Sequence, residues 1–261
     1  MTKRSSLVIG LGVGLAIAAC RAGPSSSASD KTAEQDEVQS GERRAGFLEG
    51  LLGGRRTAAR LMGDITASLP DRVRLIEGAY GSAAVRLKGY APSNNHVADY
   101  LARLGRSAVL TEVTLQSSIQ KSGRGGEYQE FALRAFVRDP GDKKPFASGP
   151  PAARLGELEK MLPARGETAD MLRQFQMLAL GSGLKMTRFV PGKETPGEFY
   201  AAWPVTIEVT GSQADLGRYF NDLAGSRRLW LVEKFSFKNV SPQDARSPLR
   251  ASITMRTYLP R

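Results

Sequence analysis

The chain has 261 residues, 41% of them hydrophobic, and a formal net charge of +11. That is enough apolar matter for one or two cores, and its Lys and Arg are scattered rather than interleaved with aromatics as a single-strand nucleic-acid binder requires. One cysteine, Cys20, and one histidine, His96, exclude an intrachain disulfide and a Cys/His zinc site. A Ser-His-Asp triad would need His96, and no GxSxG elbow accompanies it.

Lys3 and Arg4 form a basic start, and Ser5 to Ala19 is uncharged and mostly apolar. Those roughly 15 residues make about 22 Å of helix, short of the ~20 residues that cross a bilayer and well sized for a signal peptide. The segment ends in Ile17-Ala18-Ala19-Cys20, which resembles a bacterial lipobox. Residues 1–20 are read as a signal peptide with Cys20 as the lipidated residue, or as a short membrane anchor. Either way the rest of the chain is outside the cytoplasm. Residues 21–46 are Ser-, Ala- and charge-rich without an aromatic, and are read as a flexible tether.

A first domain is expected over 47–140. Phe47, Leu48, Leu51 and Leu52 open it as an apolar cluster, and Ala58, Leu61, Met62 and Ile65 recur at helical spacing. Val73 to Tyr80 and Ala84 to Tyr90 read as a hairpin across Gly81-Ser82. Ser93 caps a helix lined by Val97, Tyr100, Leu101 and Leu104 and stopped by Gly105. Val109 to Gln120 and Glu127 to Arg138 form a second hairpin. Residues 141–152 are polar and Pro-rich, an interdomain linker.

The second domain, 153–261, repeats the order. Leu155 to Leu180 is helical with a break at Pro163 to Gly166. Leu184 to Val190 and Phe199 to Thr210 are strands around a loop at 191–198. Ser212 with Asp215 makes a capping-box pattern, and Leu216, Tyr219, Phe220 and Leu223 form the helix's apolar stripe. Leu229 to Val240 and Leu249 to Leu259 close the set. VRLKGYAPSNNHVADYLARLG aligns with VTIEVTGSQADLGRYFNDLAG, placing Gly89 on Gly211. The fold class is α+β: two tandem ferredoxin-like domains in a circularly permuted αββαββ order.

WPVTIEVTGSQADLGRYFNDLAGSRRLWLVEKFSF closely resembles the periplasmic domain of PilO, and LPDRVRLIEGAY followed by VRLKGYAPSNNHVADYLARLG resembles PilN. Both belong to the inner-membrane machinery of the type IV pilus. The resemblance implies a non-enzymatic periplasmic scaffold that links the inner-membrane platform to periplasmic and outer-membrane parts. Implied partners are a PilP-like lipoprotein, PilN- and PilO-like domains and pilins, with a homodimer or hetero-oligomer expected and no nucleic acid. Three features depart from the family: no apolar span separates the halves, nothing before Leu7 resembles the motif that binds PilM, and the coiled coil before the PilO domain is abbreviated. A lipidated Cys20 would substitute for the missing membrane helices and hold the domains at the inner membrane, with an outer-membrane lipoprotein as the other placement. A type II secretion platform component, and a lipoprotein binding peptidoglycan or a small ligand, are the alternative readings.

No residue set points to catalysis, a cofactor or a metal. His96 falls in the first turn of a helix and reads as a surface residue. The Gly123 to Gly126 loop lacks the Lys-Ser/Thr of a phosphate-binding loop and joins two strands. Trp203, Tyr219 and Trp230 are the candidate interface residues, since aromatics concentrate at interaction hot spots. Replacing Cys20 with Ser is expected to abolish acylation and block processing, read by intact mass and by membrane retention of the full chain. Unchanged mass and retention would contradict the lipobox reading.

Overall fold

The computed structural model describes residues 27–123, 126–138, 151–241 and 248–260. It divides into two compact units, residues 1–39 and 40–261. Cys20 and the linker core at 139–150 lie outside the described residues.

Helix α1 (Ser27–Gly54) occupies most of the stretch expected to be a tether. Ala, Glu, Gln and Lys supply half of residues 27–40 and are strong helix formers, and neither Gly nor Pro interrupts that stretch. A polar composition shows only that a segment cannot bury a core. From Ala45 onward the helix gains a buried stripe, with Ala45 and Leu48 fully covered.

The first half continues as α2 (Thr57–Ala67), β1 (Arg74–Gly81), β2 (Ala84–Ala91), α3 (Asn94–Leu104), β3 (Leu110–Gly123) and β4 (Gly126–Val137). The second half is α4 (Pro151–Glu159), α5 (Thr168–Gly181), β5 (Lys185–Pro191), a two-residue β6 (Thr195–Pro196), β7 (Tyr200–Gly211), α6 (Gln213–Gly225), β8 (Leu231–Asn239) and β9 (Leu249–Pro260). Residues 151 and 152, read as linker, already belong to α4. The α+β class and the repeated helix-strand-strand order both hold.

All the strands join one antiparallel sheet in the order β3-β4-β2-β1-β8-β9-β7-β5, with β6 added beside β7. Counting strands within each half, and leaving β6 aside, both halves read third, fourth, second, first. The duplication seen in sequence is therefore a duplication of topology. Two separate sheets were expected; instead β1 pairs with β8 and fuses them. A single apolar cluster runs beneath the joined sheet, from Ala58, Leu61, Val85 and Leu87 through to Val205, Ile207, Leu216 and Phe235.

Local chemistry explains the elements. Ser212 accepts a hydrogen bond from the Asp215 amide at 3.1 Å, and the Asp215 carboxylate accepts one from the Ser212 amide at 2.9 Å, closing the capping box. Burial alone would raise the Asp215 carboxyl. The Ser212 hydrogen bonds and the Arg218 guanidinium outweigh it and hold the group below the ordinary carboxylate range. Val205, Ile207 and Val209 alternate inward on β7 and meet Leu216, Tyr219 and Phe220 of α6 in the core. The matched glycines are both sites of close approach: a Cβ at Gly89 would sit 2.4 Å from the Arg74 carbonyl, and one at Gly211 2.5 Å from Leu184.

Candidate interaction surface

The joint between the halves is built from five directly opposed pairs: Glu77 with Lys238, Gly78 with Phe237, Ala79 with Ser236, Tyr80 with Phe235, and Gly81 with Lys234. Edge strands leave backbone amides and carbonyls without partners, and here two edges satisfy each other. Side chains add register. Phe235 and Phe237 are buried, and Tyr80 meets Phe235 with ring centroids 5.4 Å apart. Gly78 lies under the Phe237 ring, where a Cβ would come within 2.4 Å of two ring carbons. Glu77 faces Lys238 with opposite charge, a favourable cross-strand pair.

A helical layer reinforces the joint. Helix α2 of the first half packs on α6 of the second, and Gln213 donates to the Thr66 hydroxyl at 3.3 Å. Arg55, between α1 and α2, donates to the carbonyl and hydroxyl of Ser226 past the end of α6. Its own burial, and then neighbouring Arg56, hold its guanidinium below its usual pKa.

The cluster expected to open the first domain belongs to the second. Phe47 packs on Phe199, Tyr200 and Tyr258 with centroids 6.2, 6.0 and 5.4 Å away. Leu48 joins Leu158, Leu162 and Leu229. Ion pairs flank the contact, Arg44 with Glu159 and Arg154 with Glu49 at 3.1 Å. Sequence proximity placed Phe47 with α2; the apolar surface left open on α4, β7 and β9 claims it instead.

The sheet face turned away from the core carries exposed Arg86, Lys88, Arg134, Lys234, Lys238 and Arg250 on both sides of the joint. Glu77 pairs with Lys88 at 3.5 Å. Six basic residues that are scattered in sequence thus share one continuous face because the two sheets are fused.

The structure places the three candidate interface residues inside the chain's own core. Trp203, Tyr219 and Trp230 are all buried. The Trp203 indole donates to the Gly192 carbonyl at 3.0 Å, and Trp230 packs on Phe175 with centroids 4.6 Å apart. Burial raises the Tyr219 phenol. Aromatic identity marks a residue that seeks burial, and the chain's own core supplies it. His96 is half-buried, with its Nδ1 2.9 Å from the Ser93 hydroxyl at the start of α3. Among the described residues no group of three or more His, Cys, Asp or Glu has a metal-binding arrangement, and no helix is long and apolar enough to cross a membrane.

Comparison with known families adds two matches. Residues 60–137 match the PilN fimbrial assembly protein family, and residues 167–259 match the PilO C-terminal domain of the type IVa pilus alignment subcomplex. Among solved structures, the chain is similar to the crystal structure of the type 4 fimbrial biogenesis protein PilO from Pseudomonas aeruginosa. That match has 27% identity and a TM-score of 0.36, and covers 44% of this chain and 91% of the other. It is also similar to the core region of PilO from the type IV pilus system of the same organism, at 30% identity and a TM-score of 0.32, covering 35% of this chain and 92% of that one. No curated protein sequence matches the chain.

Gly78 tests the joint. Gly78→Ala is expected to cost about 1–3 kcal/mol by overpacking, read by urea unfolding. Gly217→Ala, at a helical position where a Cβ meets nothing within 4 Å, is expected to stabilise by about 0.5–1 kcal/mol. Combining Gly78→Ala with Phe237→Leu should cost less than the sum of the two single changes. Strict additivity would contradict the close packing.

Proposed function

We infer, from a chain that carries a PilN domain at residues 60–137 and a PilO C-terminal domain at residues 167–259, that it is a fused scaffold of the type IV pilus alignment subcomplex. Both families are structural components of pilus assembly, so the work of the protein is association rather than catalysis. Fusion fixes the ratio of the two domains at one to one. It also turns their encounter into an intramolecular event, with an effective concentration on the order of mM for a short flexible connection.

The observation that carries this reading is the pairing of β1 with β8. It lies between the two family domains and makes them one sheet, so a displacement of one is passed to the other through backbone hydrogen bonds. A scaffold that links the inner-membrane platform to periplasmic and outer-membrane parts needs that rigidity. Periplasmic placement and anchoring through Cys20 complete the proposal and rest on the lipobox-like sequence. The matches to PilN and PilO favour the pilus over a type II secretion platform.

Deletion of the gene in its own organism is expected to abolish surface pili, with restoration by the intact chain and co-purification of at least one pilus protein. Normal pili in the deletion strain, with no pilus protein recovered, would contradict the proposal.

A further inference from the structure

The internal joint is head-to-tail. It pairs the first strand of one half, β1, with the third strand of the other, β8. Because both halves have the same strand order, among the described residues the sheet ends on a third strand, β3, and a first strand, β5, each with one unpaired edge. We propose that β5 of one chain pairs antiparallel with β3 of a second copy, repeating the β1–β8 joint between molecules.

Strand directions allow it. Every pair along the sheet is antiparallel, so β5 runs as β1 does and β3 as β8 does, with the helices on the same side. The residues correspond as well. With Gly89 set on Gly211, Leu87 matches Val209. Leu115 reaches Leu87 through Leu133, and Phe237 reaches Val209 through Ala251. Leu115 thus holds on β3 the place that Phe237 holds on β8. Leu115 is 43% exposed and Phe237 1%, and the difference is the neighbouring strand that one has and the other lacks. On the opposite edge Met186 faces Val209 as Gly78 faces Leu87. The internal joint therefore sets a glycine against a phenylalanine, and the free ends offer a methionine to a leucine.

The helical layer repeats in parallel. At the internal joint the first helix of one half, α2, meets the second helix of the other, α6. The same step between molecules brings α5 to α3 of the next copy. Met177 and Leu180 on α5 are 68% and 72% exposed, three residues apart and so on one helix face. Of the eight large exposed hydrophobics among the described residues, five lie on β3, α5 or β5: Leu115, Ile119, Met177, Leu180 and Val190. Bulges on β1 and β8 flank the five paired rows of the internal joint, whereas those at Leu115/Ser117 and Met186/Arg188 adjoin the rows that would pair between molecules, so the intermolecular ladder is shorter than the internal one. A head-to-tail contact leaves one edge of each kind free after every addition, so it propagates.

Disulfide trapping tests this on the full-length chain in detergent with Cys20→Ser, where the introduced thiols are the only ones. Row by row across the sheet, Thr114 corresponds to Ser236 and Arg188 to Ala79, and Ala79 faces Ser236 at the internal joint. Opposed strand residues fall within the Cα spacing a disulfide needs. Ala79→Cys with Ser236→Cys in one chain is the control for folding and reactivity. A mixture of Thr114→Cys and Arg188→Cys chains, given an oxidant, is expected to yield a linked dimer that neither yields alone. One chain carrying both cysteines is expected to give a ladder, and Leu115→Lys should remove the intermolecular band while leaving the control disulfide intact. A monomer in the mixture while the control links, or a dimer from Thr114→Cys or Arg188→Cys chains alone, would overturn the proposal.

Discussion

Strands β1 and β8 each present a row of backbone amides and carbonyls that have no partner within their own half, and they find each other. A single pairing of five residue pairs turns two four-strand arrangements into one sheet. The apolar cluster beneath it then becomes continuous, the basic residues of the open face become one surface, and α2 is brought onto α6. Gly78 is the local condition for all of this, because its missing side chain is the space that Phe237 fills.

The second constraint is the way α1 returns to the far half. Its last turns place Phe47 and Leu48 against α4, β7 and β9, while α2, which follows at once in sequence, lies over the first half. Arg55, between the two helices, reaches Ser226. The halves are thus tied by a sheet edge, by a helix pair and by a chain crossing. A fusion so tied holds its two family domains in one relation, which separate chains would have to find by diffusion. Among the described residues the outermost strands of the sheet are β3 and β5.

Much of this was legible in the sequence, for identifiable reasons. Alternating residues such as Val205, Ile207 and Val209 announce a strand with one face inward, and Ser212 with Asp215 announces a helix start. Periodicity reports faces, however, and the joint is made by an edge. Pairing of β1 with β8 uses backbone groups that every residue carries, so its sequence trace is slight: Gly78 and Gly81 around Ala79-Tyr80 on one strand and Phe235 and Phe237 on the other. The helix over the expected tether was hidden because composition speaks to core burial and not to helix formation. Trp203, Tyr219 and Trp230 were legible as residues that want cover, but their partners Gly192 and Phe175 come from segments whose placement depends on the assembled fold.

Native-state hydrogen exchange is the most direct measurement of the central claim, that the two family domains form a single sheet through β1 and β8. The account predicts that the inward-bonded amides of residues 77–81 and 234–238 are protected as strongly as those in the middle of β2 and β9, opening only with global unfolding. Exchange of the joint amides at a much lower free energy, with each half retaining its own protection, would show two domains that merely lie side by side and would contradict it.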